Sequence, residues 1–358
     1  MSCTILSVAY PFAPVRSDTA GGAEQVLLTL DRALVRRGYR SVVIAAEGSQ
    51  VSGELVSAPV TEMLDDQFSC HGTEKLYSAL IARCAVEKGV DLIHCHGFDF
   101  HRYLPETECP VLVTLHLPLS WYAPNAFSLQ RQTLFFNCVS MNQYSSLISR
   151  IHSNYFCIEN GIDLPSQEPS ERRGNYAVAL GRVCPEKKFH EAFDAARSAQ
   201  IPLVLAGRVF PYKKHGEYYE AEVKKRVDNR RYRFIGPVDY GRKIKLLRHA
   251  TCTLITSRAP ETSSLVAMES LCCGTPVICY SSGALTEIVE NGKNGFVVEN
   301  WKEMAHAIKL VSNIDRRACY DFAVERFSAE NMVKSYIKTY GYIIQSRREF
   351  FDNSAKAG

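Results

Sequence analysis

Two glutamates, Glu261 and Glu269, are the strongest candidates for chemistry in this sequence. Glu261 lies just before a predicted helix over residues 265–272, and Glu269 lies about two turns inside that helix. Ionised carboxylates accept several hydrogen bonds, so the pair could hold two sets of sugar hydroxyls. A hydroxyl side chain at 262–264 could cap the helix, whose N-terminus then favours an anion. The alternative for Glu269 is a partly buried helix residue that is paired with a cation.

Two cations follow the first predicted strand of the second half, over residues 176–180. Gly181 ends this strand, Arg182 comes next, and Lys187 follows in the same loop. A planar guanidinium and a compact ammonium at one strand end suit a diphosphate. The alternative is a solvated surface loop, and the position after a strand favours the functional interpretation.

The first half offers a glycine pair and a strand-end histidine. Gly21 and Gly22 open a predicted helix, where bare backbone amides could approach a phosphate or a sugar, although they could equally serve only a turn. The dinucleotide fingerprint G-x-G-x-x-G is absent here. His116 ends a predicted strand and could hydrogen-bond a substrate hydroxyl or act as a base, although a lone histidine is more often structural.

The segment His94-Cys95-His96 suggests a metal site at first sight. On a strand, however, the two histidines face one side and Cys95 faces the other. The three side chains therefore cannot form one compact site, and no metal is predicted.

Length, charge and composition exclude several classes of protein. The 358 residues suggest two domains, and an excess of 42 basic over 38 acidic residues gives no electrostatic case for nucleic acid. A hydrophobic content of 46% excludes a disordered chain. No apolar run reaches the roughly 18 residues of a membrane span, and the start lacks the basic region of a signal peptide. Thirteen cysteines without a repeating frame favour a reducing cytoplasm.

Short apolar runs alternate with helix-like segments along the whole chain, which is typical of a parallel sheet covered by helices. A polar segment over 165–175 reads as a linker, so we predict two open α/β domains of similar size. The predicted strands lie at 4–10, 41–46, 92–95, 111–116, 135–140, 176–180, 202–206, 232–235, 252–256, 276–280 and 295–298. Helix patterns include 191–199, 265–272 and 329–351.

Taken together, the motifs resemble those of the retaining glycosyltransferases of the GT-B class called family 4. The resemblance rests on Glu261 and Glu269 followed by Gly274-Thr275-Pro276-Val277, on Gly21-Gly22-Ala23-Glu24, His116, Asn160-Gly161-Ile162-Asp163, Gly181-Arg182 with Glu186-Lys187, and Asn294-Gly295-Phe296. It implies two Rossmann-like parallel-sheet domains facing each other across a cleft, with a C-terminal helix crossing back. The expected domains are 1–163 plus 329–358 on the acceptor side, and 164–328 for the nucleotide sugar.

The resemblance also implies roles for individual residues. Arg182 and Lys187 would neutralise the diphosphate of the donor, Glu269 would bind the ribose, and Glu261 the transferred sugar. The remaining implied site residues are Gly21, Gly22 and Gly181 near the phosphates or sugar, His116 at the sugar or acceptor, the amides of Leu265 and Val266 at the phosphates, and Glu287 in support.

Two departures from the family pattern stand out. Ser263 and Ser264 occupy the places where many relatives have Phe-Gly, so they could add hydrogen bonds to the donor or narrow its pocket. Lys188 stands where relatives commonly have Gly; it could add a third cation near the phosphates, but we expect its side chain to point to solvent.

The implied reaction is the retaining transfer of a hexose from a nucleotide sugar, UDP-glucose or a similar UDP-sugar being favoured over GDP-mannose. The acceptor would be a saccharide, a lipid-linked molecule or a small molecule, in polysaccharide or glycoconjugate biosynthesis. We expect no cofactor and no metal, because the cations and the helix dipole supply the charge that a metal supplies elsewhere. The alternatives are a sugar-nucleotide epimerase of the same architecture and a non-catalytic nucleotide-sugar-binding protein.

The expected location is cytoplasmic, with peripheral contact at the inner membrane face as an open alternative. The basis for that contact is a basic and aromatic tract over 208–234, which could meet an anionic membrane carrying a lipid-linked acceptor. The competing interpretation of the tract is a solvated helix with its preceding loop.

Overall fold

The computed structural model describes residues 3–17, 19, 21–59, 71–129, 131–148, 154–170 and 172–356, with side chains described up to residue 347 except at residue 71. The chain divides into two compact units. Unit 1 comprises Met1–Asn160 and Ala329–Gly358, and unit 2 comprises Gly161–Ser328. The division falls after Asn160, slightly before the boundary predicted after residue 163.

Unit 1 is built on one parallel sheet. Within the described residues its strands are β1 (Thr4–Val8), β2 (Arg40–Ala46), β3 (Glu54–Ala58), β4 (Leu92–Cys95), β5 (Val111–Leu115), β6 (Leu134–Cys138) and β7 (Tyr155–Cys157), in the order β3-β2-β1-β4-β5-β6-β7. Its helices are α1 (Gly22–Arg36), α2 (His71–Glu87), α3 (Met141–Leu147) and the C-terminal helix (Ala329–Lys356), with short 3-10 turns at Phe100–Arg102, Leu119–Trp121 and Pro124–Phe127.

Unit 2 repeats this architecture. Within the described residues its strands are β8 (Ala177–Leu180), β9 (Leu203–Ala206), β10 (Tyr232–Phe234), β11 (Cys252–Ile255), β12 (Val277–Tyr280) and β13 (Gly295–Val298), in the order β10-β9-β8-β11-β12-β13. Its helices are α4 (Phe189–Ser198), α5 (Lys213–Tyr218), α6 (Tyr240–His249), α7 (Leu265–Cys272), α8 (Leu285–Ile288), α9 (Trp301–Leu310) and α10 (Arg316–Phe327), with a π turn at Tyr219–Val223 and 3-10 turns at Pro185–Lys187, Lys224–Arg226 and Val311–Asn313.

Burial explains why most strands could be predicted from their apolar runs. All residues of β1, β4 and β5 are buried, because helices cover both faces of a parallel sheet. Two strands were missed for the opposite reason: β3 has mostly exposed or half-buried residues, and β7 is half-buried throughout. The strand predicted over 135–140 ends earlier because Ser140 caps α3, accepting a hydrogen bond from the Gln143 amide.

The C-terminal helix belongs to the core of unit 1, as expected. Met332, Val333, Tyr336, Tyr340 and Ile343 are buried in one cluster with apolar residues of the sheet and of α1. The hydroxyl of Tyr336 accepts a hydrogen bond from the Asn137 side-chain amide at 2.9 Å. The end of the chain therefore completes the first unit.

Each sheet reverses its strand order once, between β1 and β4 in unit 1 and between β8 and β11 in unit 2. Open α/β sheets bind ligands beyond the carboxyl ends of the strands at such a reversal. The segments that follow these four strands therefore position any site. Among the described helices, none has the length and apolar character that a membrane crossing requires.

Candidate functional site

The loop after β8 carries the predicted cations. Gly181 leaves the strand at φ +144°, a conformation that favours glycine, and its amide donates to the Ala206 carbonyl at 3.1 Å. Arg182 follows and is exposed. The 3-10 turn at Pro185–Lys187 then positions Lys187, whose carbonyl accepts a hydrogen bond from the Thr256 hydroxyl at 2.7 Å. The ends of the adjacent strands β8 and β11 are thereby tied together.

Lys187 and Glu261 form an ion pair between these two strand ends. The Lys187 side chain is 27% exposed and that of Glu261 is 13% exposed, so the pair is sheltered but reachable. The Glu261 carbonyl accepts a hydrogen bond from the Ala284 amide at 2.7 Å. Gly283 adopts φ +52°, and a Cβ there would overlap the Glu261 backbone. The backbone that carries this carboxylate is therefore tightly packed.

Helix α7 begins shortly after Glu261 in sequence, and its N-terminus offers backbone amides that lack an acceptor in the part of the chain that the structure describes. Ser264 is the N-cap, and its hydroxyl accepts from the Ala267 amide at 3.4 Å. The amides of Leu265 and Val266 have no acceptor within the described part of the chain. The buried Ser263 hydroxyl likewise finds no partner among the described residues. These groups have hydrogen-bonding capacity that an anion could use, and their role toward a phosphate stays a prediction.

Glu269 is buried and is held by a lysine that the sequence analysis did not identify. Its side chain is 6% exposed, and Lys243 Nζ on α6 lies 2.5 Å from its Oε1. Burial raises the pKa of the Glu269 carboxyl, and the charge of Lys243 opposes that shift. Paired with a cation, Glu269 matches the structural alternative considered for it. No pattern in the sequence distinguishes Lys243 from the other basic residues of α6, such as Arg242 and Lys245.

In unit 1, His116 directly follows β5 and lies beside a second histidine. His116 Nε2 is 3.0 Å from Nδ1 of His96, which follows β4, and the two rings are stacked. Burial lowers the pKa of His116 to about 3, so its ring is neutral at ordinary pH. A neutral ring can both donate and accept a hydrogen bond. The contact between His96 and His116 was not predicted, because it depends on the pairing of strands β4 and β5, which the sequence does not state.

His94 has a structural role. Its Nδ1 lies 2.8 Å from the Tyr340 hydroxyl and its Nε2 lies 2.7 Å from Thr114 Oγ1, so both nitrogens are occupied. Its ring lies 4.0 Å from that of His96. In the described residues no metal-type cluster includes His94 or Cys95.

The remaining predicted residues are placed as follows. Gly21 precedes α1 in an extended conformation, and Gly22 is the first residue of that helix. Glu287 lies in α8, and its carbonyl accepts from Arg326 at 2.6 Å. Lys188 has φ +48°, and its side chain lies 3.6 Å from the Glu191 carboxylate. The Lys188 side chain remains 40% exposed while it pairs with Glu191, so its orientation toward solvent or toward the phosphates stays a prediction.

Unit 2 thus presents Lys187, Glu261, the exposed Arg182 and the free amides of α7 after neighbouring strands of its reversal point. Cations and backbone donors suit a diphosphate, and a fixed carboxylate suits hydroxyl groups. Two doubly wound units and such a site define the GT-B class of glycosyltransferases. The family model "Glycosyl transferases group 1" matches residues 163–323, and "Glycosyltransferase Family 4" matches residues 20–165. The chain belongs to this glycosyltransferase family.

Comparison with individual proteins is consistent with this assignment. The chain is 29% identical over 223 residues to a GDP-mannose-dependent alpha-(1-6)-phosphatidylinositol dimannoside mannosyltransferase of Mycobacterium tuberculosis. That match covers 55% of this chain and 54% of the relative, so the chain spans about half the length of this relative.

Two solved structures have the same fold at low sequence identity. Sucrose-phosphate synthase from Thermosynechococcus elongatus has a TM-score of 0.79 and 19% identity, covering 96% of this chain and 100% of that one. The Anabaena protein HepE, in complex with UDP and glucose, has a TM-score of 0.74 and 19% identity, covering 94% and 99%.

Proposed function

We propose that this protein is a retaining hexosyltransferase that uses a nucleotide-diphosphate sugar. The observation that carries the proposal is the Lys187–Glu261 ion pair, in which Glu261 lies shortly before the free amides of α7 in the chain. Without a donor, the ammonium and the carboxylate neutralise each other. With a donor bound, the Lys187 ammonium would pair with the diphosphate, and the Glu261 carboxylate would accept hydrogen bonds from the sugar hydroxyls. The acceptor is a saccharide, a lipid-linked molecule or a small molecule, in the synthesis of a polysaccharide or glycoconjugate.

Charge development explains how these groups would act. The bond from the anomeric carbon to the phosphate oxygen breaks, and a bond from that carbon to the acceptor oxygen forms. Negative charge grows on the departing diphosphate, where Arg182, Lys187 and the amides of Leu265 and Val266 would stabilise it. One fixed donor of this kind is typically worth about 3 kcal/mol. On this basis we propose turnover without a metal.

Retention would follow if the acceptor attacks on the face that the diphosphate leaves. The leaving phosphate would then take the acceptor proton, and Glu261 would orient the sugar rather than form a covalent bond to it. His116 would hydrogen-bond the sugar or acceptor as a neutral ring, and Glu269 would bind the ribose after sharing or releasing Lys243.

A donor screen tests the proposal. UDP-glucose is the favoured donor, and the complex of HepE with UDP and glucose supports that choice by analogy. GDP-mannose is the second candidate, because the mycobacterial relative is GDP-mannose-dependent. Thermal stabilisation and slow hydrolysis should single out one nucleotide sugar, since a selective ligand raises apparent stability.

Two variants connect this activity to the site. We expect Glu261→Gln and Arg182→Ala each to lower kcat/KM about 100-fold, because each removes one fixed group from the transition state. Glu290→Gln and Arg230→Ala, at exposed positions elsewhere in unit 2, are the matched controls. Unchanged kcat/KM in both site variants would contradict the assignment.

Two rival functions have distinct outcomes. An epimerase would convert the nucleotide sugar without any acceptor, so product from donor alone identifies it. A non-catalytic binding protein would bind the donor and turn over no acceptor.

Cytoplasmic location is part of the proposal, and peripheral membrane contact is the alternative to it. In the tract 208–234 the Lys213 side chain is 89% exposed, whereas Tyr218 and Val223 are buried in the core of unit 2. This burial favours the solvated-helix interpretation over membrane insertion. Flotation of the protein with liposomes in a manner that depends on anionic lipid would support peripheral membrane contact instead.

A further inference from the structure

Three side chains of metal-binding type come together in unit 2 apart from the Lys187–Glu261 pair. Cys184 and Glu186 lie at the start of the loop turn Pro185–Lys187, and His215 lies on α5. One ligand atom from each residue lies within 4.8 Å of the other two. Among the described residues, no other group of three histidine, cysteine or carboxylate side chains brings its ligand atoms within this distance of one another.

The environment of this cluster favours a bound partner. Cys184 is 2% exposed, and Nδ1 of His215 is buried with no hydrogen-bond partner in the described part of the chain. The His215 ring is held edge-on against Tyr212, with centroids 5.0 Å apart. A buried ring nitrogen without a partner is costly, and coordination to a metal would satisfy it.

We propose that Cys184, Glu186 and His215 bind one thiophilic divalent transition-metal ion, of which Zn²⁺ is the type. A sulfur, an imidazole nitrogen and a carboxylate oxygen are the ligands that Zn²⁺ takes in proteins. In a tetrahedral site such ligand atoms lie about 3.5 Å apart, so separations of up to 4.8 Å would shorten by at most about 1 Å on binding. Three protein ligands leave the fourth position open to water.

Metal binding would release one proton and neutralise the charge of the ion. The Cys184 thiol binds as a thiolate, so its proton passes to solvent as the sulfur–metal bond forms. The carboxylate and the thiolate together neutralise the charge of the ion. Arg182 is close enough to interact electrostatically with all three ligands, and its positive charge limits the affinity. Tyr218 also faces the thiol and contributes no charge.

A metal here would act on the donor site through the loop. Arg182 and Lys187 flank Cys184 and Glu186 in sequence, so contraction around an ion shifts both cations. Metal binding should therefore weaken donor binding, and donor should weaken metal binding by the same factor. This consequence rests on the proposed function, whereas the metal site itself does not.

Titration of the full-length protein with Co²⁺, without nucleotide, tests the site. We expect one Co²⁺ per chain and a thiolate-to-cobalt charge-transfer band in the near ultraviolet. Cys184→Ser should abolish the band, and His215→Gln should weaken Co²⁺ binding at least tenfold. Cys157→Ser, at a half-buried cysteine, and His306→Gln, at an exposed histidine, are the controls. Absence of the band, or its survival in Cys184→Ser with a native circular dichroism spectrum, overturns the proposal.

A second measurement separates the coupling from the site. UDP affinity is measured with and without saturating Zn²⁺, and we expect at least a threefold weakening that Cys184→Ser removes. Equal affinities would contradict the coupling while the Co²⁺ result still decides the site. Failure to bind any nucleotide would contradict the proposed function, and the Co²⁺ titration would remain interpretable.

Discussion

Each of the two glutamates in unit 2 that suggested sugar chemistry has a lysine of its own. Glu261 is paired with Lys187 and Glu269 with Lys243, but the two pairs differ in exposure. The Glu269 side chain is 6% exposed, so losing its partner would leave a charge almost without solvent. The charge state of this carboxyl should therefore control local stability.

Replacing the lysine tests this dependence. Lys243→Met should lower the free energy of unfolding at neutral pH by about 3 kcal/mol, because it leaves a buried carboxylate unpaired. The pKa of Glu269 is already raised by burial, and it should rise further without Lys243. A raised folded-state pKa favours the native protein at low pH. The loss should therefore shrink as the pH falls from neutrality toward the ordinary Glu value of 4.5.

Urea unfolding across this pH range measures the effect. Lys293→Met removes the partner of Glu290 in an exposed pair and serves as the control, for which we expect no measurable loss. A pH-independent loss in Lys243→Met would show that Glu269 does not carry the effect.

The histidines of unit 1 give a pH dependence of the opposite sign. Burial lowers the pKa of His94 and of His116 to about 3, and it lowers that of His96 well below 6.5. The unfolded chain then binds protons first, so stability is present above pH 6.5 and is lost on acidification. Each such histidine contributes a slope of up to about 1.4 kcal/mol per pH unit.

His116→Asn should reduce this acid slope by about one proton, and the exposed His306→Asn should leave it unchanged. The free energy of unfolding, measured at several pH values below 6.5, gives the slope for each protein. Identical slopes in the wild type and in His116→Asn would contradict the neutral buried ring.

At the level of elements, the start of α4 has an unusual backbone. Lys188 precedes that helix with φ +48°, a left-handed conformation that costs a non-glycine residue about 1 kcal/mol. The family commonly has glycine at this place, and the conformation supplies the physical reason. Here the ion pair with Glu191 at 3.6 Å offsets part of the cost.

Glycine and alanine variants separate the backbone from the side chain. Both Lys188→Ala and Lys188→Gly lose the ion pair, so their difference reports the left-handed conformation alone. Lys188→Gly should be more stable than Lys188→Ala by about 1 kcal/mol. At Lys245, inside α6, the order should reverse by a similar amount, because glycine disfavours a right-handed helix. Thermal unfolding of the four variants measures both differences, and the same order at both positions would contradict the argument.

Elements could be predicted wherever burial was continuous. The buried strand β4 has the limits expected from its apolar run, and α7 was predicted to the residue. The edge strand β3 was missed because most of its residues are exposed, so no continuous buried run marks it. Local pattern reports apolar runs, so β13 could be predicted although two of its residues are half-buried, whereas β3 and β7 were missed.

Site residues could be predicted where a residue type already implied the chemistry. Lys187 and Glu261 were chosen for charge and position, and the structure places them in contact. The partners Lys243 and His96 were not found, since each meets its target from another element of the fold. Such contacts can be predicted only when the order of the strands in the sheet is known, and a single sequence gives little information on that order.

At the scale of the molecule, each unit has its own sheet and its own core. The core of unit 2 draws on residues between Ile162 and Phe327, all inside that unit. The core of unit 1 also needs the C-terminal helix, whose Tyr336 and Tyr340 hydrogen-bond with side chains of the sheet strands. The two units should therefore differ in what they require to fold alone.

Fragments of the chain test this asymmetry and the location of donor binding together. Residues 161–328 should unfold cooperatively by themselves, because their core is complete, and they should bind UDP, because Arg182, Lys187 and Glu261 all lie within them. Residues 1–160 should lack a cooperative transition, because removing the C-terminal helix exposes the apolar sheet face that Tyr336 and Ile343 cover. Adding a peptide of residues 329–356 should restore the transition. A cooperative transition in residues 1–160 alone would contradict the role of the helix, and a folded 161–328 fragment that binds no UDP would show that the donor site needs more than unit 2.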